Sequence, residues 1–62
     1  SSVSLILKIK NILSEREYDF LFMHYGLEIS QSEIARKFNL SLGTVLRIID
    51  RAKYKIELNV NY

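Results

Sequence analysis

Five basic side chains in the second half of the chain, Arg36, Lys37, Arg47, Arg51 and Lys53, have the most chemistry to offer. An arginine fork matches the two acceptors on the major-groove edge of guanine, and either cation neutralises phosphate. Residues 1–30 hold three basic and four acidic side chains, a net of −1, whereas residues 31–62 hold six basic and three acidic, a net of +3. The overall charge of +2 therefore hides a basic half. Such asymmetry is the electrostatic footprint of a nucleic-acid contact, and simple solvation of a helix surface is the alternative for any one of these residues.

Catalytic chemistry finds no comparable set. His24 is the single histidine and there is no cysteine, so metal sites, triads and thiol nucleophiles lack their partners. Glu15 and Glu17 resemble a pair of acids, but a helix start accounts for both, as described below. The expected chain is not an enzyme and carries no cofactor. Zero cysteine also suits a reducing cytoplasm. No apolar run approaches the roughly 20 residues of a membrane span, and the N-terminus lacks the order of a secretory signal. A soluble cytoplasmic protein without membrane contact is expected. The opening Ser1-Ser2-Val3 has no initiating methionine, which points to a domain excised from a longer chain.

Helices must position those basic residues. The 62 residues suffice for one domain, and the absence of proline with only two glycines favours an all-α fold. Ser14-Glu15-Arg16-Glu17 forms a capping box, with Leu13 and Tyr18 in the staple positions around it. A helix is predicted over about residues 15–25, with Tyr18, Leu21, Phe22 and Tyr25 at helical spacing and Gly26 closing it in a left-handed conformation. Ser30-Gln31-Ser32-Glu33 repeats the device with Ile29 and Ile34, starting a brief helix that ends near Phe38. Asn39 is suited to a left-handed turn, and Ser41 caps the next helix with Leu40 and Val45 as staple. From Leu42, the residues Val45, Ile48, Ile49, Ala52 and Ile56 mark one apolar stripe along the longest helix, with fraying expected from Leu58. Ahead of these, Leu5, Ile6, Ile9, Ile12 and Leu13 suggest a short leading helix capped by Ser4. The expectation is a small four-helix bundle over residues 1–62.

A short helix, a three-residue turn and a longer basic helix make a helix-turn-helix, here over residues 31–50, whose second helix enters the major groove. Ile34, Phe38, Leu40, Val45 and Ile48 should face inward, with small Ala35 at the helix crossing. The outward residues Leu42, Gly43, Thr44, Leu46, Arg47, Asp50 and Arg51 are then the base-reading candidates, Arg47 first among them. Arg36, Lys37 and Lys53 are candidate phosphate contacts, and Ser41 adds a hydroxyl at the helix start. Most of Phe20, Phe22 and Tyr25 are expected in the core.

The ordered series Leu13-Ser14-Glu15-Arg16-Glu17, His24-Tyr25-Gly26, Glu33-Ile34-Ala35, Ser41, Gly43-Thr44-Val45 and Arg51-Ala52 resembles region four of the bacterial sigma factors. The match covers about residues 13–56. The resemblance implies that the last helix docks in the major groove of the promoter minus-35 element, and that double-stranded promoter DNA is one partner. It implies a second partner, the RNA polymerase core, whose beta-flap grips the apolar surface of the earlier helices, with an anti-sigma factor as a further candidate. Base contacts in that family fall at the positions of Leu42, Gly43, Leu46 and Arg47, with Thr44, Asp50 and Arg51 near DNA in some branches. Leu46 departs from the pattern, because a polar or basic residue is usual there. An exposed leucine at that place meets either a thymine methyl or a protein partner.

Two other readings compete. The output domain of a dimeric response regulator shares the Arg-Glu opening and the Glu-Ile-Ala core, and would protect a near-palindromic site, whereas a monomeric sigma-type domain protects one asymmetric element. A pure protein-docking module for polymerase or an anti-sigma factor is the other, favoured by Leu46 and the aromatic group.

Overall fold

Capping chemistry sets where each helix begins. In the computed structural model, which describes residues 2–60, four α-helices span Ser2–Ile12 (α1), Glu15–Leu21 (α2), Gln31–Lys37 (α3) and Leu42–Val60 (α4). Among the described residues there is no strand, so the all-α expectation holds. The capping box at α2 is complete: the Glu17 amide donates to Ser14 Oγ at 3.2 Å and the Ser14 amide donates to Glu17 Oε1 at 2.8 Å. At α3 only half of the box forms. The Glu33 amide donates to Ser30 Oγ at 3.1 Å, while the Glu33 carboxylate turns outward to Arg36. Ser41 caps α4, accepting from the Thr44 amide at 3.2 Å.

Three helix boundaries differ from the sequence-based expectation. α1 already begins at Ser2, which places Ser4 inside its first turn and not at its cap. α4 continues through Leu58 and Asn59 to Val60, where fraying was expected. Residues Phe22–Gly26 form a π-turn, with the Leu27 amide bonded to the Phe22 carbonyl at 3.1 Å, five residues back. Gly26 does not take the left-handed conformation. Glu28 does, with φ of 58°. The extra residue per turn explains a second difference, because it rotates the side chains away from the 3.6-residue stripe. Phe20 is fully buried, yet Phe22 and Tyr25 are exposed, so only one of the three aromatics expected in the core is there.

The core gathers Phe20 from α2, Ile34 and Ala35 from α3, and Val45 and Ile49 from α4, with Ala52 buried farther along α4. Full burial of a side chain such as Phe20 or Ile34 stabilises the fold by about 1.5–3 kcal/mol. Both partners of the second and third staples, Ile29 with Ile34 and Leu40 with Val45, lie in or against this core. Leu13 is buried beside a half-buried Tyr18. Phe38, expected inside, sits at the rim as an exposed residue, its ring 5.0 Å from that of Phe20. It is the last residue before the turn, where the chain is already leaving the bundle.

A buried carboxylate joins the two ends of this arrangement. Glu17 is only 5% exposed, and its Oε1 accepts from Lys55 Nζ at 2.8 Å as well as from the Ser14 amide. Burial pushes the Glu17 carboxyl up, but the Lys55 and Ser14 hydrogen bonds and the Lys55 charge together outweigh it and hold the group below its ordinary value. The fourth turn of α4 is thereby fastened to the first turn of α2.

Candidate nucleic-acid interface

The posture of α4 is set by the turn that precedes it. Asn39 adopts φ of 56°, a conformation that asparagine tolerates better than other residues with side chains. The Leu40 amide reaches back to the Ala35 carbonyl at 2.8 Å and the Asn39 amide to the Arg36 carbonyl at 3.3 Å. These two bonds are the paired closure of a Schellman end, which turns the chain sharply and drops Leu40 onto the core. Small Ala35, 6% exposed, lies where α3 and α4 meet. The helix-turn-helix expected over residues 31–50 is present.

At about 100° per residue, the buried positions Val45, Ile49 and Ala52 take one side of α4 and leave the opposite side free. Gly43, Asp50 and Arg47 lie on that free side, Thr44 and Arg51 on one flank, and Leu42, Leu46 and Lys53 on the other. A chain of polar contacts runs along the first turns: Ser41 Oγ and Thr44 Oγ1 are 2.8 Å apart, and Arg47 donates to Thr44 Oγ1 at 3.5 Å. Thr44 is half-buried by this arrangement, while Arg47 and Arg51 are exposed. Among the described residues neither arginine has an ion pair. Lys37, exposed at the end of α3, has none either.

The remaining cations are loosely engaged. Arg36 lies 3.9 Å from Glu33, and Lys53 lies 3.9 Å from Asp50, both at the surface, where such pairs stabilise little and release readily. Lys53 also donates to the Tyr25 hydroxyl at 3.3 Å and sits 5.8 Å from the centre of that ring. The hydrogen bond to the Tyr25 oxygen, with its electrostatic attraction, holds the Lys53 ammonium above its ordinary pKa. The structure thus brings Ser41, Thr44 and Arg47 into one contact chain and Asp50 with Lys53 into a second. Arg36 and Lys37 stand apart on α3.

Two features of this surface escape the sequence pattern. Tyr54, 61% exposed, follows Arg47 two turns on along the free side of α4 and is neither in the apolar stripe nor charged. Its position off the 3.6-residue stripe is the one signal that could have found it. Away from α4, an apolar groove of about 310 Å³ is lined by Ile9, Tyr18, Leu21, Phe22, Tyr25 and Gly26. A Cβ at Gly26 would come within 3.0 Å of the Phe22 ring, so the glycine lets that ring fold back as one wall. The π-turn creates the groove by turning Phe22 and Tyr25 outward, an effect invisible in residue spacing.

Among the described residues no group of histidines or acids could hold a metal ion, and no helix is long and apolar enough to cross a membrane. Neither the curated proteins nor the solved structures gave a match to the chain. A model of the family described as sigma-70, region 4, matches residues 11–56, from the end of α1 through most of α4. With a helix-turn-helix inside the matched span, an exposed face on its second helix and cations beside it, this chain belongs to the sigma-70 region 4 family of DNA-binding regulatory domains.

Proposed function

We propose that this domain is the promoter-reading module of a sigma factor, binding the minus-35 element of duplex DNA through α4 while its earlier helices dock on the beta-flap of RNA polymerase. The observation that carries the reading is the outward surface of α4: Arg47 stands exposed beside a bare Gly43, with Arg51 exposed on the adjoining flank, on a helix whose opposite side is locked into the core. In this reading Arg47 pairs with a guanine edge, aligned by its contact with Thr44. Leu42, Gly43, Leu46 and Asp50 lie against the bases, with Thr44 and Arg51 beside them. Arg36, Lys37 and Lys53 take phosphates, together with the Ser41 hydroxyl and the second role of Arg51. Ser41 and Thr44 are already occupied in capping α4, so their share is smaller than that of the arginines.

The second half of the reading rests on the groove between α1 and the π-turn. Its walls, Ile9, Tyr18, Leu21, Phe22 and Tyr25, are apolar or aromatic and open to solvent, which suits an apolar helix of the flap. An anti-sigma factor would compete for the same two surfaces. The two functions depend on each other energetically. About four phosphate contacts give a log-log salt slope near −3.6, so the monomeric domain alone binds weakly at physiological salt. Tethering to polymerase raises the effective concentration and makes a weak reader sufficient.

Selection of bound duplex from a random pool, with footprinting and a flap-domain pull-down, tests the reading. One asymmetric protected element together with flap capture is the expected result. Arg47→Ala should weaken DNA binding about 5- to 100-fold and leave flap capture intact. A palindromic footprint from a dimer, or equal loss of both activities in a folded Arg47→Ala protein, would overturn it.

A further inference from the structure

Leu42 and Leu46 lie four residues apart on α4, 44% and 37% exposed, while Val45 and Ile49 beside them are at most 1% exposed. The core therefore takes its apolar contacts from α4 without these two leucines. Side chains at this spacing stand about 5–6 Å apart and form a short apolar ridge along one flank of the helix. Bare Gly43 and the charged Asp50 border the ridge on the free side, with Arg47 beyond them. Nothing in the fold lies within 4 Å of the place a Gly43 Cβ would occupy, so the helix presents bare backbone between the ridge and the arginine.

We infer that this ridge reads the 5-methyl groups of thymine, next to the bases reached by Arg47; the inference rests on the promoter-reading function proposed above. Thymine is the base that shows a methyl group in the major groove, alongside an acceptor oxygen, so an apolar flank beside a hydrogen-bonding one is matched to thymine neighbouring a purine. Bare backbone at Gly43 lets α4 approach the base edges closely enough for a leucine side chain to touch a methyl. The ridge is only two side chains long, with Asp50 and Lys53 beside it and Arg47 farther round the helix. Arg47 and Lys53 leave that border net positive, which suits a groove lined by phosphates better than an apolar protein surface. Leu46, one turn inside α4, is the principal reader and Leu42 extends the contact toward the helix start.

Replacing thymine by deoxyuridine removes the methyl and nothing else, which makes the test chemically narrow. The probe is a duplex selected from a random pool by the 62-residue chain at low salt, with each thymine exchanged in turn for deoxyuridine. Loss of one buried methyl should weaken binding by about fourfold at one or two positions. Leu46→Ala should bind thymine and uracil duplexes alike at the position it reads, and Leu46→Met should keep the discrimination. Thermal unfolding of each variant confirms that the helix persists. If every uracil duplex binds the unmodified chain as the thymine duplex does, while Arg47→Ala still weakens binding, the thymine reading is wrong and the promoter reading stands. If the selected duplexes carry no thymine at fixed positions, or if Leu46→Ala retains the fourfold preference, the assignment is likewise wrong. Failure to select any duplex would remove the promoter reading and this inference together.

Discussion

Gly43→Ala separates the demands of the fold from those of the proposed DNA contact, because the two should respond in opposite directions. Glycine inside a helix is less favourable than alanine by up to about 1 kcal/mol. At Gly43 the fold gives nothing in return: its backbone is not in the left-handed region, and an added Cβ would meet no atom within 4 Å. Its place in the first turn of α4 tempers the helix-propensity gain, so stabilisation of about 0.5–1 kcal/mol is expected. For a domain of this size that raises the unfolding midpoint by about 2–8 °C. The methyl group, however, projects from the free side between Leu42 and Thr44, where the proposed groove contact is closest. DNA affinity should fall several-fold despite the firmer fold. Thermal unfolding by circular dichroism and fluorescence anisotropy with a selected duplex read the two effects on the same preparation. A variant that is more stable and binds DNA as well as the parent would refute the reasoning, because glycine would then serve neither fold nor contact.

Two further predictions concern the frame that holds α4. Glu17 has its folded-state pKa depressed below the unfolded value near 4.3, so the stability it contributes is present above that value and fades as pH falls through the folded one. Glu17→Gln should therefore cost about 1–2 kcal/mol in urea titrations at pH 7, with the gap to the parent closing in acid; a gap independent of pH would refute the linkage. Asn39→Ala, at φ of 56°, should destabilise by about 1–2 kcal/mol, whereas Asn39→Gly should be near neutral, and equal loss in both would show that the Asn39 side chain rather than its backbone matters.

Much of this architecture was legible from short-range chemistry. The Ser14, Ser30 and Ser41 caps and the left-handed Asn39 depend on residues within a few positions of one another, and each was found where its local pattern put it. The same holds for the α4 stripe, because a straight helix preserves its 3.6-residue period over several turns. Features that need a change of period were not legible. The π-turn at Phe22–Gly26 breaks the phase set by Tyr18 and Leu21, so of the aromatics whose spacing puts most in the core, Phe22 and Tyr25 line an open groove. Long-range partners were equally hidden. Capping explained Glu17 completely at the level of sequence, and nothing there marked Lys55, 38 residues away, as its second partner. On the site itself, spacing identified the outward residues of α4 but could not tell that Thr44 and Ser41 spend their hydroxyls on each other, or that Lys53 leans on Tyr25.

That last contact bears on how the two proposed surfaces communicate. Tyr25 lines the apolar groove and accepts from Lys53 with its hydroxyl, so one residue touches both the proposed docking surface and a candidate phosphate contact. The bond is 3.3 Å long and exposed, too weak to restrain Lys53 strongly. A rigid link between the two surfaces therefore does not pass through this pair. It passes through the core and the Glu17–Lys55 bond, which fix α4 against α2. In the proposed function the bundle serves as a fixed frame for both surfaces, and cooperation between them comes from tethering instead of a change of shape. Weak DNA binding by the free domain and strong binding in the assembled complex are then compatible with one unaltered fold.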